Sequence, residues 1–272
     1  MIRNLFISAC ILSLNISANG QATSTPVGAR AVAAGYTSLT AENLWASSNN
    51  QAATAYFNKF QAGLYFENHY LLDEMNRIAM GVFFPFNKGG ISLCVDHFGG
   101  SLYSEMKAGL GFALPMGDNF SAGVQLDYMR MAIGEGYDSY HALTFEAGVL
   151  ARITDDIKIG LHVFNPIHQK WTKTEEHIPV LIRAGIAVRP EKSLELYAEV
   201  HKSTSNPAII CGGAEYHFRE KFFMRMGITS GPARYTFGVG FSINRIFLDI
   251  SSSVHSWLGY SPQLSFTYTF SK

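Results

Sequence analysis

From Phe60 onward the chain alternates between apolar and polar or small residues with a period of two, the spacing of a strand that buries one face and not the other. In "SLELYAEVHKS" one face carries Leu194, Leu196, Ala198 and Val200, the other Glu195, Tyr197, Glu199 and His201. In "IKIGLHVF", Ile157, Ile159, Leu161 and Val163 oppose Lys158, Gly160, His162 and Phe164. "RYTFGVGFSI" sets Tyr235, Phe237, Val239, Phe241 and Ile243 against Arg234, Thr236, Gly238, Gly240 and Ser242. The last run, "QLSFTYTF", repeats the scheme with Leu264, Phe266, Tyr268 and Phe270. A soluble sandwich also alternates. What separates this chain is that one face stays wholly apolar and bulky, strand after strand, while the other stays polar or glycine-rich. That is the signature of strands with lipid outside and a polar lumen inside.

Breaks in the pattern predict about fourteen strands, at 60–67, 75–84, 90–98, 101–114, 119–130, 140–153, 156–164, 179–188, 193–202, 208–218, 221–229, 233–243, 245–253 and 262–270. The connections sort by length. "PFNK", "PMGD", "TDD", "RPEK", "FRE" and "NR" are tight; "NHYLLDE", "AIGEGYDS", "NPIHQKWTKTEEH", "STSNP", "SGPA" and "HSWLGYS" are mostly longer, with "GG" at 99–100 a short exception. Short turns at one end and longer loops at the other suit a transmembrane antiparallel β-barrel with both termini on the periplasmic side. The expected fold is therefore all-β, a barrel over 60–272. Its aromatic last strand looks like a recognition signal for outer-membrane assembly.

Composition narrows the alternatives. The chain of 272 residues is 47% apolar and only 15% charged, against about 25% charged in an ordinary soluble domain. Lys+Arg and Asp+Glu stand at 21 each, so no basic surface predicts a nucleic-acid partner. "MIRNLFISACILSLNISANG" reads as a signal peptide over 1–20, cleaved near Gly20. Its apolar run is too short to span a bilayer as a helix. Cys10 is weighed as a lipidation site and set aside, because the apolar run continues past it. The expected location is thus the outer membrane of a Gram-negative cell, with lipid as the first partner. Cys94 and Cys211 lie far apart in strand-like runs and read as separate small thiols.

No catalytic, cofactor or metal site is predicted. The histidines form no HExxH spacing, and no G-x-S-x-G elbow occurs. The inward register instead collects charges of both signs: Asp96, Glu105, Lys107, Asp127, Glu146, Arg152, Arg183, Glu195, Glu199, Glu215, Arg225, Arg234 and Asp249. Mixed signs argue against the one-sign rings of an ion-selective pore. They favour a salt-bridged, hydrated lumen over a selective polar pathway. Trp171 and Trp257, in outer loops, are expected in an interfacial aromatic girdle, with ligand entry or partner contact as the alternative.

Residues 21–59 break the alternation. "PVGARAVAAGYTSLTAEN" is rich in small residues, and "LWASSNNQAATAYF" adds one Trp and a run of amides. Together with "GLHVFNP", "IPVLIRAGIAVRP", "LELYAEVHKS", "GGAEYHF", "FFMRMGI" and "LDISSSVHSWLGYSPQLSFTYTF", in that order, the chain resembles the PorV/PorQ family of Bacteroidota. That family is a group of FadL-type (long-chain fatty acid transporter-like) outer-membrane barrels. Its Asn-Pro-Ala-Gly element corresponds to Asn50-Gln51-Ala52-Ala53, with Gln for Pro and Ala for Gly, and this chain is shorter than the better-known members. The resemblance implies a fourteen-stranded barrel with residues 21–59 as an internal plug or hatch, whose motif residues here are Gly28, Arg30, Trp45, Asn49, Asn50 and Gln51. The function expected from it is an accessory barrel partnering envelope or type IX-like secretion proteins, with a FadL-like carrier of a hydrophobic small molecule as the alternative.

Overall fold

The computed structural model describes residues 25–134, 139–219 and 221–271. The signal peptide, its cleavage near Gly20 and Cys10 lie outside the described residues. Two short helices come first, α1 (Ala29–Ala33) and α2 (Ala46–Asn49), followed by a 3-10 turn over Gln51–Thr54. The strands then run β1 (Gln61–Asn68), β2 (Asn76–Phe86), β3 (Gly89–Gly99), β4 (Tyr103–Pro115), β5 (Phe120–Ile133), β6 (Ser139–Arg152), β7 (Ile157–Phe164), β8 (Leu181–Glu191), β9 (Leu194–Ser203), β10 (Ile209–Phe218), β11 (Phe222–Thr229), β12 (Arg234–Ile243), β13 (Ile246–His255) and β14 (Gly259–Thr269). Each pairs antiparallel with its sequence neighbours, and β1 closes on β14 from Gln61↔Thr269 to Glu67↔Gln263. The fold is a closed fourteen-stranded antiparallel barrel.

The exterior explains why one face had to be apolar throughout. Leu64, Phe66, Ile78, Met80, Leu93, Leu110, Leu126, Leu143, Leu161, Met224, Met226, Phe237 and Phe266 all point outward and are exposed. In water such a surface would far exceed the few hundred Å² of apolar patch a soluble monomer tolerates. Against lipid it is the favourable arrangement. A ten-residue strand tilted about 45° rises roughly 24 Å, the height of the apolar band of such barrels.

The interior is filled from the N-terminal side. Val27, Ala29, Ala31, Val32, Ala33, Leu39, Leu44 and Trp45 of the opening segment are all buried, and so are Ser47, Asn49, Asn50 and Gln51. The wall accepts this segment at inward-facing glycines. A Cβ on Gly213 would meet the Ala34 oxygen, one on Gly123 would lie 2.6 Å from the Ala52 nitrogen, and one on Gly238 2.7 Å from Ala33 Cβ. Small residues on both sides thus let two backbones meet where ordinary side chains would hold them apart.

Two connections differ from their sequence-based expectation. "HSWLGYS" closes as a tight hairpin, because Gly259 takes φ 89° and β14 starts there, three residues earlier than the pattern suggested. The long connection after β7 is a packed loop. Ser139–Phe145 of β6 has no strand partner on the β7 side, since that ladder begins only at Glu146↔Phe164. The loop patches this notch: Asn165 N–H donates to Phe145 O, Thr172 N–H to His141 O, and His141 N–H to Thr172 Oγ1.

Candidate functional site

The plug's polar residues act mainly as braces. Asn49 ties the segment to itself, accepting from Val27 N–H at 2.9 Å and donating to Val27 O at 2.8 Å. Asn50 donates to Leu39 O at 2.7 Å and to Val149 O of β6 at 3.2 Å. Gln51 donates to Glu146 at 2.9 Å. Gly28 starts α1 at φ 108° directly over the Trp45 ring, where a Cβ would come within 2.9 Å of Cδ1. Trp45 packs at 6.0 Å on Tyr65 of β1. Arg30 leaves α1 for the wall, donating to Glu215 at 2.8 Å and to the Tyr197 hydroxyl at 2.7 Å.

The inward charges sort into small groups around this plug. Arg225 meets Glu215 at 2.5 Å and Asp249 at 2.7 Å, so Glu215 sits between two guanidinium groups. Glu199 accepts the backbone N–H of both Ser38 and Leu39 on one oxygen, each at 2.7 Å, and holds His201 Nε2 at 2.9 Å with the other. Lys107 donates to Glu146 at 2.7 Å. His162 Nε2 reaches Glu146 at 3.0 Å while its Nδ1 faces Arg183 at 3.0 Å. Because a guanidinium only donates, Nδ1 must accept and Nε2 carries the proton. Asp127 takes the Gln125 amide at 2.8 Å. Glu105 accepts from Tyr103, Glu195 lies 3.6 Å from Arg189, and Arg234 reaches the Tyr36 hydroxyl at 3.4 Å.

Toward the short-turn end, Glu42 of the plug bonds Arg152 and, at 2.7 Å, Lys158. Burial pushes the Glu42 carboxyl up, but these two cations outweigh it and hold it below the ordinary carboxylate range.

Two inward charges outside the sequence-based set, Glu67 and Arg77, lie close to the loop ends of β1 and β2. Arg77 grips Asp96 at 2.6 Å and also donates to Thr25, the first described residue of the plug, at 2.7 Å. Glu67 accepts from Tyr65 at 2.8 Å and Gln263 at 3.0 Å. Both sit in phase with their strands' inward faces, which was the available signal.

Trp171 corrects an expectation. It is 4% exposed, inside the loop after β7, and packs with Met129, Ala142, Phe164, Ile178 and Leu181. Apolar burial under the folded loop prevails over a headgroup position, so Trp171 is not a girdle residue. Trp257, 89% exposed at the β13–β14 tip, is free to meet an interface. Cys94 and Cys211 are buried free thiols, as their separate strands suggested.

These pieces define the site. Near the outer end of the lumen one stretch of the inner wall is apolar, with Met129, Ala142, Phe164 and Leu181 beside the unpaired edge of β6, and Trp171 and Ile178 occupy the space between them. Beneath lies a cavity of about 10 Å³, bordered by Ser48, Asn49, Lys107, Glu146, His162 and Arg183 and large enough for roughly one water. At the short-turn mouth, a space of about 420 Å³ opens between Lys59, Arg245 and Phe247. Oxygen and imidazole ligands converge at Glu195, Glu215 and His217, but a cation there would face Arg30 and Arg225.

No protein-family profile matches the chain, and no curated protein does. Among solved structures it is similar to the toluene transporter TbuX of Ralstonia pickettii, at 12% identity and TM-score 0.68, covering 91% of this chain and 98% of that one. A FadL homologue of Pseudomonas aeruginosa matches at 14% identity and TM-score 0.67, over 90% and 98% of the two chains. The monoaromatic hydrocarbon channel CymD matches at 12% identity and TM-score 0.69, over 90% and 98%. At such identities the likeness is one of fold: a FadL-type barrel.

Proposed function

We propose that the protein is an outer-membrane barrel that passes a hydrophobic small molecule inward through a plugged lumen. The observation that carries this reading is the apolar chamber at the outer end, lined by Met129, Ala142, Phe164 and Leu181 and filled by Trp171 and Ile178 beside an incomplete strand ladder. A wall that is strand everywhere would admit nothing sideways, whereas this notch is closed by a packed loop that can move once something apolar takes the place of Trp171 and Ile178. An apolar cargo would replace the loop's own side chains. Its exit needs the plug to shift and ends in the space between Lys59, Arg245 and Phe247. The FadL-type fold, whose solved relatives include hydrocarbon channels, supports the same reading.

The second reading is an accessory barrel of the PorV/PorQ kind, partnering secretion or other envelope proteins. The close packing of the lumen favours it, since Val27, Val32, Leu39, Leu44, Trp45 and Gln51 of the segment are all buried against the wall. The two are separated by uptake of a labelled monoaromatic hydrocarbon and of a labelled long-chain fatty acid in cells lacking the gene. Transport predicts loss of uptake of at least one compound, restored by the wild-type chain and altered several-fold by Trp171→Ala. Unchanged uptake, with a stoichiometric protein partner on purification from native membranes, would overturn it in favour of the accessory role.

A further inference from the structure

Arg183, on β8, is buried at 4% exposure, yet among the described residues no carboxylate lies within ion-pair distance of it. Its guanidinium donates to Asn49 O and, at 3.4 Å, to Ser38 Oγ, and it faces His162 Nδ1 at 3.0 Å, all neutral acceptors. Its Nε–H meets no acceptor at all. The nearby carboxylate of Glu199 is already engaged by Ser38 N–H, Leu39 N–H and His201. A buried cation in this position is costly unless something anionic completes its shell.

The cavity against Arg183 has the right size and lining. It holds about one water-sized particle, and its wall carries three cationic side chains, Arg77, Lys107 and Arg183, against one carboxylate, Glu146. Glu146 is taken up by Lys107, His162 and Gln51, and Arg77 is taken up by Asp96. Asp127 stands off the cavity wall, bonded to Gln125. The Asn49 and Ser48 side chains of the plug border the same space, so an occupant would touch plug and barrel together.

We propose that Arg183 and the plug enclose a binding site for a single monoanionic group. In the plugged state the group that matches the volume is a small inorganic anion of the chloride class. The same chemistry could come from the acidic end of an amphipathic cargo, which would reach Arg183 from the apolar chamber through Phe164 and Leu181. The site rests on the plugged lumen and not on transport, so a barrel that carries nothing would still hold the ion.

The test uses the full-length barrel crystallised with bromide in place of chloride. The expected result is an anomalous peak within hydrogen-bonding reach of Arg183 Nε, absent in Arg183→Met. Plug amides should also exchange hydrogen at least threefold more slowly in chloride than in gluconate, for the wild type only. Should Arg183→Met fail to give the heat-modifiable folded band, the wild-type peak and the halide dependence of exchange decide alone. Density for a co-purified carboxylate at Arg183 in place of bromide would assign the anion to cargo. No bromide peak with equal exchange in both salts, or a peak that survives Arg183→Met, would overturn the proposal.

Discussion

Glu199→Ala removes a carboxylate that receives two plug N–H groups, those of Ser38 and Leu39, each at 2.7 Å. Both donors are buried, and the plug residues around them offer no second acceptor that the native geometry uses. Leaving a buried donor unsatisfied costs about 1–3 kcal/mol, so the pair costs roughly 2–6 kcal/mol, with the low end expected if water enters. At about 1.4 kcal/mol per factor of ten, even the low end accelerates local opening roughly 30-fold. The cost falls on the plug and not on the strand ladder, because the backbone pairing of β9 with β8 and β10 does not involve the side chain. Hydrogen–deuterium exchange in detergent or nanodiscs reads this directly. Exchange at Ser38 and Leu39 should rise at least 30-fold, strand amides should hold, and Glu199→Gln, which keeps one carbonyl acceptor, should fall between. If exchange at 38–39 changes by less than threefold in Glu199→Ala, the carboxylate does not hold the plug.

Other expectations follow from the same contacts. Gly123→Val would drive a side chain into backbone, since even its Cβ would lie 2.6 Å from the Ala52 nitrogen. Overpacking of about 1–3 kcal/mol should make the segment before β1 newly sensitive to limited proteolysis, while the barrel band on a cold gel persists. Glu42, held below its ordinary value by Lys158 and Arg152, contributes stability that is fully present above its unfolded value, about 4.3. That contribution is lost as pH falls through the lower folded value. Protease resistance of the plug should therefore be flat from neutral pH to about 5 and drop below about 4, with the drop missing in Glu42→Gln. Trp171→Ala empties a buried indole from the apolar chamber and should cost the barrel about 3–5 kcal/mol, read as a lower unfolding midpoint in urea. An unchanged midpoint would mean the loop is not packed there.

Period-two alternation made the barrel wall legible in the sequence, because lipid tolerates no polar residue outward and the plug tolerates few large ones inward. Leu194 to His201 shows both constraints within eight residues, and the inward register of its Glu195 and Glu199 follows from them. The plug was visible only as a break in that pattern, and its braces could not be read, since Asn49 and Glu199 acquire partners more than twenty residues away. The apolar chamber was hidden for a different reason. Trp171 sits in a loop whose composition, with Lys170, Lys173, Glu175 and Glu176 around it, reads as solvated. Only the shortness of β7, which leaves β6 half unpaired, shows why that loop must fold inward and bury its indole.

If the protein carries a hydrophobic molecule, that molecule should occupy the apolar site around Trp171. Fluorescence of the purified barrel with Trp45→Phe and Trp257→Phe, leaving Trp171 as the sole indole, tests it with a brominated hydrocarbon as quencher. Saturable quenching of Trp171, relieved by an unbrominated competitor, is expected, with no saturable quenching in the matching protein that keeps Trp257 alone. A linear, non-saturable response, equal at Trp171 and Trp257, would contradict it.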